Sequence, residues 1–517
     1  MEKPCIVNII NFVRGVEPRN EMLDLKKPVI NQLELQKKYG FPTTFLLQYD
    51  TMLDDGFVDL FKKEANDNIE VGLWLEMVQP LVESVGIKWN GRPGFSWDYH
   101  VNPAFLIAYH KDQRKLLIDE AMMQYLRVFG RYPKVVGSWL LDSYSMSYLS
   151  SAYKIDAFCI CREQFGTDGY TLWGGYYNQG YYPSRYNMLQ PAQNASEGLS
   201  TPTFRMLGVD PIYEYDSGLS EDFIRDDARK PIYTFEPVWE VGKDPEWIDW
   251  YFDDVVKNEC MSFSYIHIGQ ENSFGWDSMR EGYILQMDKL AELNRKGAVR
   301  IEKLSETGKW FKNNFKESPA TSMVAIDDWK NKGNQTAWYY NKNYRINFMV
   351  SKDKTWIRDI QLFCENYIDP HFVVPTTEET VKYDSFPVID GYLWSGNGKR
   401  SGIYLIDSDT GEYLKCRINN TRKVNDDLVL EAEIGENPVD IVFSDKTFEI
   451  VGSDIEFSWM WYAPEMENTD VWLEGDSRLL FKHNYYMYGL EGESITKGAE
   501  ENTYIIKGNK LKFFFGS

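Results

Sequence analysis

The chain has 517 residues, too many for one ordinary core, and it carries 78 Asp and Glu against 56 Lys and Arg, a formal charge of −22. That balance repels phosphate backbones and anionic membrane surfaces, so neither nucleic acid nor membrane is expected as a partner. Aromatic residues make up 15%, with 17 Trp and 34 Tyr, and flat amphipathic rings are the usual platforms for sugar faces.

Cys5–Phe12 reads as a first strand and Glu21–Tyr39 as a helix. The opening MEKPCIVNIINFVRG enters strand-like sequence at once, without the basic and apolar regions of a leader. It places the protein in the cytoplasm, or in the periplasm or outside the cell if a signal peptide has been removed. Six scattered cysteines outline neither a disulfide framework nor a zinc ribbon, and no apolar run approaches the ~20 residues of a membrane span.

Thr43–Tyr49 and Ile69–Leu75 are apolar, β-rich runs flanking a helical segment with Phe57, Leu60 and Phe61, which makes a β-α-β unit. Each run ends in a carboxylate, Asp50 and Glu76, where parallel α/β folds place their chemistry. The connection 77–108 contains WNGRPGFSWDYHVNP, a candidate lid or substrate wall. Lys111–Phe129 is a helix closed by Gly130; strand Lys134–Leu141 ends in Asp142, and Ser143–Tyr153 is a short helix. Ala157–Arg162 is a fifth strand, followed by the longest loop, 163–205, rich in Tyr, Asn and Gln.

Met206–Tyr213 is a sixth strand despite Pro211, and Ile232–Phe235 a seventh, ending in Glu236. Asp244 caps a helix with Pro245 at its first position, and Met261–Ile268 is the eighth strand. This alternation predicts an α/β protein: a distorted parallel β/α barrel of seven or eight strands over residues 1–317. Short alternating runs with turn signals then predict an all-β sandwich-like domain over 318–517, as one sandwich or two small ones.

Glycoside hydrolysis needs two carboxyl groups, and the strand ends offer Asp50, Glu76, Asp142, Asp210 and Glu236. Asp50 and Asp210 double as loop-fixing acceptors, whereas Glu76, Asp142 and Glu236 stand in aromatic context (WLEM, SWLLDSY, FEPVWE), where an apolar wall raises a carboxyl pKa. Asp98 and His100 form the most metal-like pair, which His267 could complete as a trio, but the Asp-x-His spacing is unspecific and favours a loop hydrogen bond from His100 and a substrate contact from His267 over a metal site. No phosphate-cradling glycine loop and no G-x-S-x-G elbow is present.

The run FPTTFLLQYD…NDNIEVGLWLEM resembles the polysaccharide deacetylase signature, which implies the barrel topology. With IEVG laid on the family's metal-binding phrase, its two histidines fall on Trp74 and Val78, and the paired aspartates of its opening motif are absent from NIINFV. Glycoside hydrolase families 38 and 57 share such distorted barrels with β-domains behind them, and the whole chain resembles a bacterial family of candidate glycoside hydrolases of that build. In family 57 the nucleophile ends the fourth strand and the acid the seventh; the resemblance puts these roles on Asp142 and Glu236, with the Glu and Asp identities exchanged.

The expected function is a glycoside hydrolase acting on a neutral or cationic oligosaccharide through Asp142 and Glu236, with Glu76 as a third acid. No metal and no cofactor enters this reading. Trp74, Trp97, Trp139, Tyr176, Tyr177 and Trp239 are expected to stack on sugar rings, and Asp50, Asp98, His100, Asp210, His267 and Gln270 to contact substrate. Two alternatives stay open: a metal-dependent carbohydrate deacetylase with its ligands relocated to Asp98, His100 and His267, and a carbohydrate-binding barrel without catalysis.

Overall fold

The computed structural model describes residues 3–220, 222–223, 231–452 and 456–515. Seven parallel strands wind in chain order: β1 (Cys5–Val13), β2 (Thr43–Leu47), β3 (Ile69–Trp74), β4 (Val135–Gly137), β5 (Ala157–Cys161), β6 (Thr203–Met206) and β7 (Ser264–Ile268). β7 returns to pair with β1, from Cys5↔Ser264 to Ile9↔Ile268. An eighth strand, β8 (Arg300–Glu302), pairs with Ile6–Asn8 of β1, while β2 pairs only from Ile10 onward. β1 therefore serves two neighbours in succession on one edge, and this is the distortion of the barrel.

Among the described residues no ladder joins β6 to β7; His267 spans the gap. Its Nδ1 accepts the Leu207 N–H at 2.6 Å, and its carbonyl accepts the Gly208 N–H at 3.1 Å. The barrel interior is filled by Phe12, Leu46, Trp74, Cys159, Phe204 and Tyr265. Gly72 and Gly137 make that filling possible, because a Cβ at either would stand 2.6 Å from the Leu46 side chain.

The helices around the sheet follow their local signals. In α1 (Lys26–Tyr39), Val29 and Leu33 face inward, and α2 (Asp55–Glu64) starts at Asp54, which accepts the Gly56 and Phe57 N–H groups. α3 (Lys111–Phe129) stops at Gly130, left-handed at φ 70°. α4 (Ser143–Tyr153) starts on Asp142, and α5 (Pro245–Lys257) on Asp244 with Pro245 behind it. α6 (Trp276–Arg295) and α7 (Leu304–Asn314) complete the layer. No described helix is long and apolar enough to cross a membrane.

Three predicted strands need correction. The sixth lies at Thr203–Met206, because Leu207 takes φ 68° and ends it before Pro211. Ile232–Phe235 is not a strand; its only ladder contact among the described residues is an isolated antiparallel bridge between Thr234 and Val209. The fourth is shorter than predicted, Val135–Gly137.

From Thr321 onward two antiparallel sheets face each other. One runs from Thr321–Ala325 through Thr355–Leu362 to Thr503–Lys507 and Ser494–Lys497; the other runs from Cys416–Val424 to Asp470–Glu474. Phe348, Phe443, Phe448 and Trp459 meet between them. This β-rich half is welded to the barrel. Tyr177 stacks on Trp338 with ring centroids 3.9 Å apart, and fully buried Arg345 bonds both Asp359 (2.8 Å) and the barrel's Glu163 (2.8 Å).

Two carboxylates stranded in the interior are costly, so Arg345→Met is expected to remove about 3–5 kcal/mol of stability. Denaturant unfolding followed by tryptophan fluorescence checks this; an unchanged midpoint would contradict the role given to Arg345.

Candidate active site

A cavity of about 400 Å³ opens at the carboxyl ends of the barrel strands. Its wall draws on the ends of five strands: Arg14 follows β1, Trp139 β4, Arg162 β5, Leu207 β6 and Glu271 β7. Glu17, Arg19, Gln164, Asp168, Tyr170, Glu236 and Trp239 add polar and aromatic groups to the lining. The size suits one or two sugar rings, and the position is where parallel barrels keep their chemistry.

Arg14 anchors the site. Its Nη2 lies 3.0 Å from Glu271 and 3.3 Å from Glu76, and its guanidinium rests 3.8 Å above the Trp97 ring. Asn272 fixes the backbone here, accepting the Arg14 N–H at 2.8 Å and donating to the Arg14 carbonyl at 2.9 Å. Burial opposes the positive charge, but Glu271 and Glu76 carry the Arg14 pKa above its usual value. Glu76 lies beneath the cavity, 1% exposed, and accepts from Gln48 at 3.0 Å. Burial pushes its carboxyl up to about 7, with Arg14 pulling the other way. Burial also raises Glu271, again against Arg14, and the Ser273 hydroxyl donates to it.

Glu236 arrives from the irregular segment between β6 and α5. It accepts from the Thr234 hydroxyl at 3.0 Å, and its carbonyl lies so close to Gly242 that a Cβ there would sit 2.0 Å away. Burial raises its pKa while Arg162 partly offsets the rise. Trp139 stands over Trp74 and Phe12, at centroid distances of 5.1 and 5.2 Å, as the floor between cavity and barrel core. Trp239 and Phe274 meet edge to face at 6.1 Å on the opposite lip.

Of the residues singled out from sequence, Glu236, Trp139 and Trp239 line this cavity; Glu76 and Trp97 reach it through Arg14. The others stand elsewhere. Asp142 is buried against Arg114 at 2.9 Å, accepts the Ser145 N–H at 3.0 Å and hydroxyl at 2.7 Å, and is absent from the cavity wall. Asp50 holds the Gly15 and Thr51 N–H groups (3.2 and 2.8 Å), its carboxyl pushed up to about 6 by burial. Asp210 is saturated by the Ile212 and Tyr213 N–H groups and by the indoles of Trp247 and Trp329.

Trp74 fills the barrel, Tyr177 stacks on Trp338, and Tyr176 packs edge-on against Tyr340 at 5.0 Å. Gln270 is buried, its N–H donating to Asn11 and its carbonyl accepting from Gln32. Asp98 is paired with Arg92 at 2.8 Å, which outweighs burial and holds its carboxyl below the usual range. His100 packs at a tilt against Tyr99, ring centroids 4.6 Å apart, and burial pushes His267 down to about 3. Asp98, His100 and His267 form no joint ligand set: among the described residues no group of three His, Cys, Asp or Glu could hold a metal. Trp74 and Val78, where the deacetylase motif carries histidines, have no metal donor and are fully buried.

Arg14, Glu17, Arg19, Arg162, Asp168 and Glu271 were not among the sequence candidates. Arg14 and Glu271 carried a positional signal, since each falls within three residues of a strand's carboxyl end.

No family model matches the chain, and no curated protein matches its sequence significantly. Among solved structures, a candidate glycoside hydrolase/deacetylase from Parabacteroides distasonis superposes with a TM-score of 0.56 at 15% identity, over 77% of this chain and 94% of that one. The likeness is one of fold. A candidate polysaccharide deacetylase from Mycobacterium smegmatis (TM-score 0.38, 10% identity, 60% of this chain and 91% of that one) matches with a lower score. So does the α-amylase AmyC from Thermotoga maritima (0.31, 10%, 59% and 74%).

Glu76 has a measurable consequence. Raised from 4.5 to about 7, it holds a proton in the folded state that the unfolded chain has already released. Its stabilising contribution is complete below pH 4.5 and is lost as pH climbs through about 7. Glu76→Gln, neutral throughout, is expected to reduce the fall in stability between about pH 5 and 8 by on the order of 3 kcal/mol. Urea midpoints across that range test it, and parallel profiles for the two proteins would contradict the assignment.

Proposed function

We propose that the chain is a carbohydrate-active hydrolase, a glycoside hydrolase using two carboxyl groups of the cavity on an oligosaccharide. The observation that carries this reading is the lining itself: Glu236 and Glu271 share one barrel-mouth cavity with the indole rings of Trp139 and Trp239. The fold likeness to the Parabacteroides distasonis protein is consistent with it.

Glu236 is the general acid. Burial raises its pKa and favours the protonated form needed to assist a leaving glycosidic oxygen. Glu271 is the second carboxyl; burial raises its pKa as it does that of Glu236, and the Arg14 guanidinium at 3.0 Å opposes that rise and favours the anion. It attacks the anomeric carbon or activates water, according to its separation from Glu236 across bound sugar. Glu76 acts through Arg14, spreading that positive charge between two acids, and is a positioning residue. Asp142, committed to Arg114 and the start of α4, has a structural role in this reading.

Turnover of a responsive oligosaccharide, found in a glycan-array hydrolysis screen, is the test. Glu236→Gln and Glu271→Gln are each expected to lower kcat by about 10²-fold or more with KM little changed. Either variant at full activity would remove that residue from the mechanism. Binding across the array with no hydrolysis by the unaltered protein would favour a binding barrel.

A further inference from the structure

Three arginines reach the cavity, and each is already engaged by a protein carboxylate. Arg14 spans Glu76 and Glu271, Arg19 makes two hydrogen bonds of 2.7 Å to Glu17, and Arg162 meets Glu214 at 2.6 Å. A carboxylate or sulfate on a substrate would compete with these protein acids for the guanidinium groups, in which the buried Arg14 Nε and Arg162 Nε stay without a hydrogen-bond partner among the described residues. Two of the four acids lining the cavity are in the opposite condition. Asp168 and Glu236 line the cavity with no ion pair among the described residues, and only Glu236 has a hydrogen bond, from Thr234.

Asp168 is held in place. It sits at the tip of the hairpin formed by Gln164–Thr167 and Tyr170–Leu172, at φ 47°, a conformation that Asp tolerates better than most residues. Strand Val381–Tyr383 of the β-rich half runs parallel beside the hairpin, and its Val381 N–H donates to the Gly169 carbonyl at 2.8 Å. A Cβ on Gly169 would stand 2.5 Å from the Glu379 carbonyl, so the tip is closely backed. At the hairpin's other end Gln164, only 8% exposed, also lines the cavity, and its Nε2 has no partner among the described residues. A donor kept buried without a partner at a cavity wall is a place for a ligand oxygen.

We propose that the cavity selects an amino sugar, its protonated amine pairing with the Asp168 carboxylate and one of its hydroxyl oxygens accepting from Gln164. This rests on the carbohydrate reading above and names its substrate class. An ammonium group would give Asp168 the close partner it lacks: Arg14 and Arg19 act on its carboxyl, but among the described residues neither makes a hydrogen bond or ion pair to it, and the ring faces of Trp139 and Trp239 favour positive charge as well. N-acetylation removes that charge, and a uronate adds one of the wrong sign. The −22 formal charge of the chain also draws cationic oligosaccharides from a distance.

The test is titration calorimetry at pH 6.5 and low salt on the full chain. The probes are the glucosamine trimer chitotriose, its tri-N-acetylated form and trigalacturonate. Chitotriose is expected to bind at least about tenfold more tightly than either of the others. Asp168→Asn is expected to erase that preference while leaving the affinity for the acetylated trimer within about twofold. Equal affinity for the two chitin-derived trimers, tighter binding of trigalacturonate, binding of none of the three, or a preference that survives Asp168→Asn would each overturn the proposal. Its failure is separable from failure of the mechanism. Amine selectivity lost in Asp168→Asn, with Glu236→Gln fully active, keeps this inference and removes the acid assignment; hydrolysis of neutral oligosaccharides without amine selectivity does the reverse.

Discussion

A buried guanidinium between two buried carboxylates ties the mouth of this barrel together. Arg14 lies 1% exposed, and removing such a charge from water is expensive unless partners surround it. Glu76 after β3, Glu271 after β7 and the Trp97 ring provide them. The cluster therefore ties the ends of three strands to one point. Arg14 holds Glu271 in the cavity wall, and Gln48 and Arg14 fix Glu76 beside it.

The β-rich half belongs to the same construction. Arg345 carries two carboxylates at the junction, one from each half of the chain, and Tyr177 from the long barrel excursion lies flat on Trp338. Strand Val381–Tyr383 extends a barrel hairpin and so backs the loop that presents Asp168 to the cavity. The carboxyl-terminal half thus backs one wall of the site through this strand, without lining it.

Much of this architecture is legible in the residues, for identifiable reasons. β1, β2, β3, β5 and β7 are continuous apolar runs bounded by turn residues, and the Asp244-Pro245 start and Gly130 stop of helices are local signals that tertiary contacts do not override. Ile232–Phe235 misleads because an apolar β-rich tetrapeptide needs a neighbour to become a strand, and here β6 has already turned away at Leu207. At the site, aromatic context led to Glu236 with Trp139 and Trp239. The same context around Asp142 concealed an N-cap, whose Asp-x-x-Ser pattern was in view but whose partner Arg114 lies 28 residues away. Arg14 is not legible as a site residue because strand-end acids do not disclose the cation that positions them, and Asp168 because its hairpin is backed by a strand more than 200 residues later.

The proposed function requires sugar to bind in the cavity around Arg14, between Trp139 and Trp239. The most direct measurement is a crystal structure of the Glu236→Gln protein soaked with chitotriose. The account predicts a pyranose ring against Trp139 with an amine at Asp168; sugar seated on another surface, with this cavity holding only solvent, would contradict it.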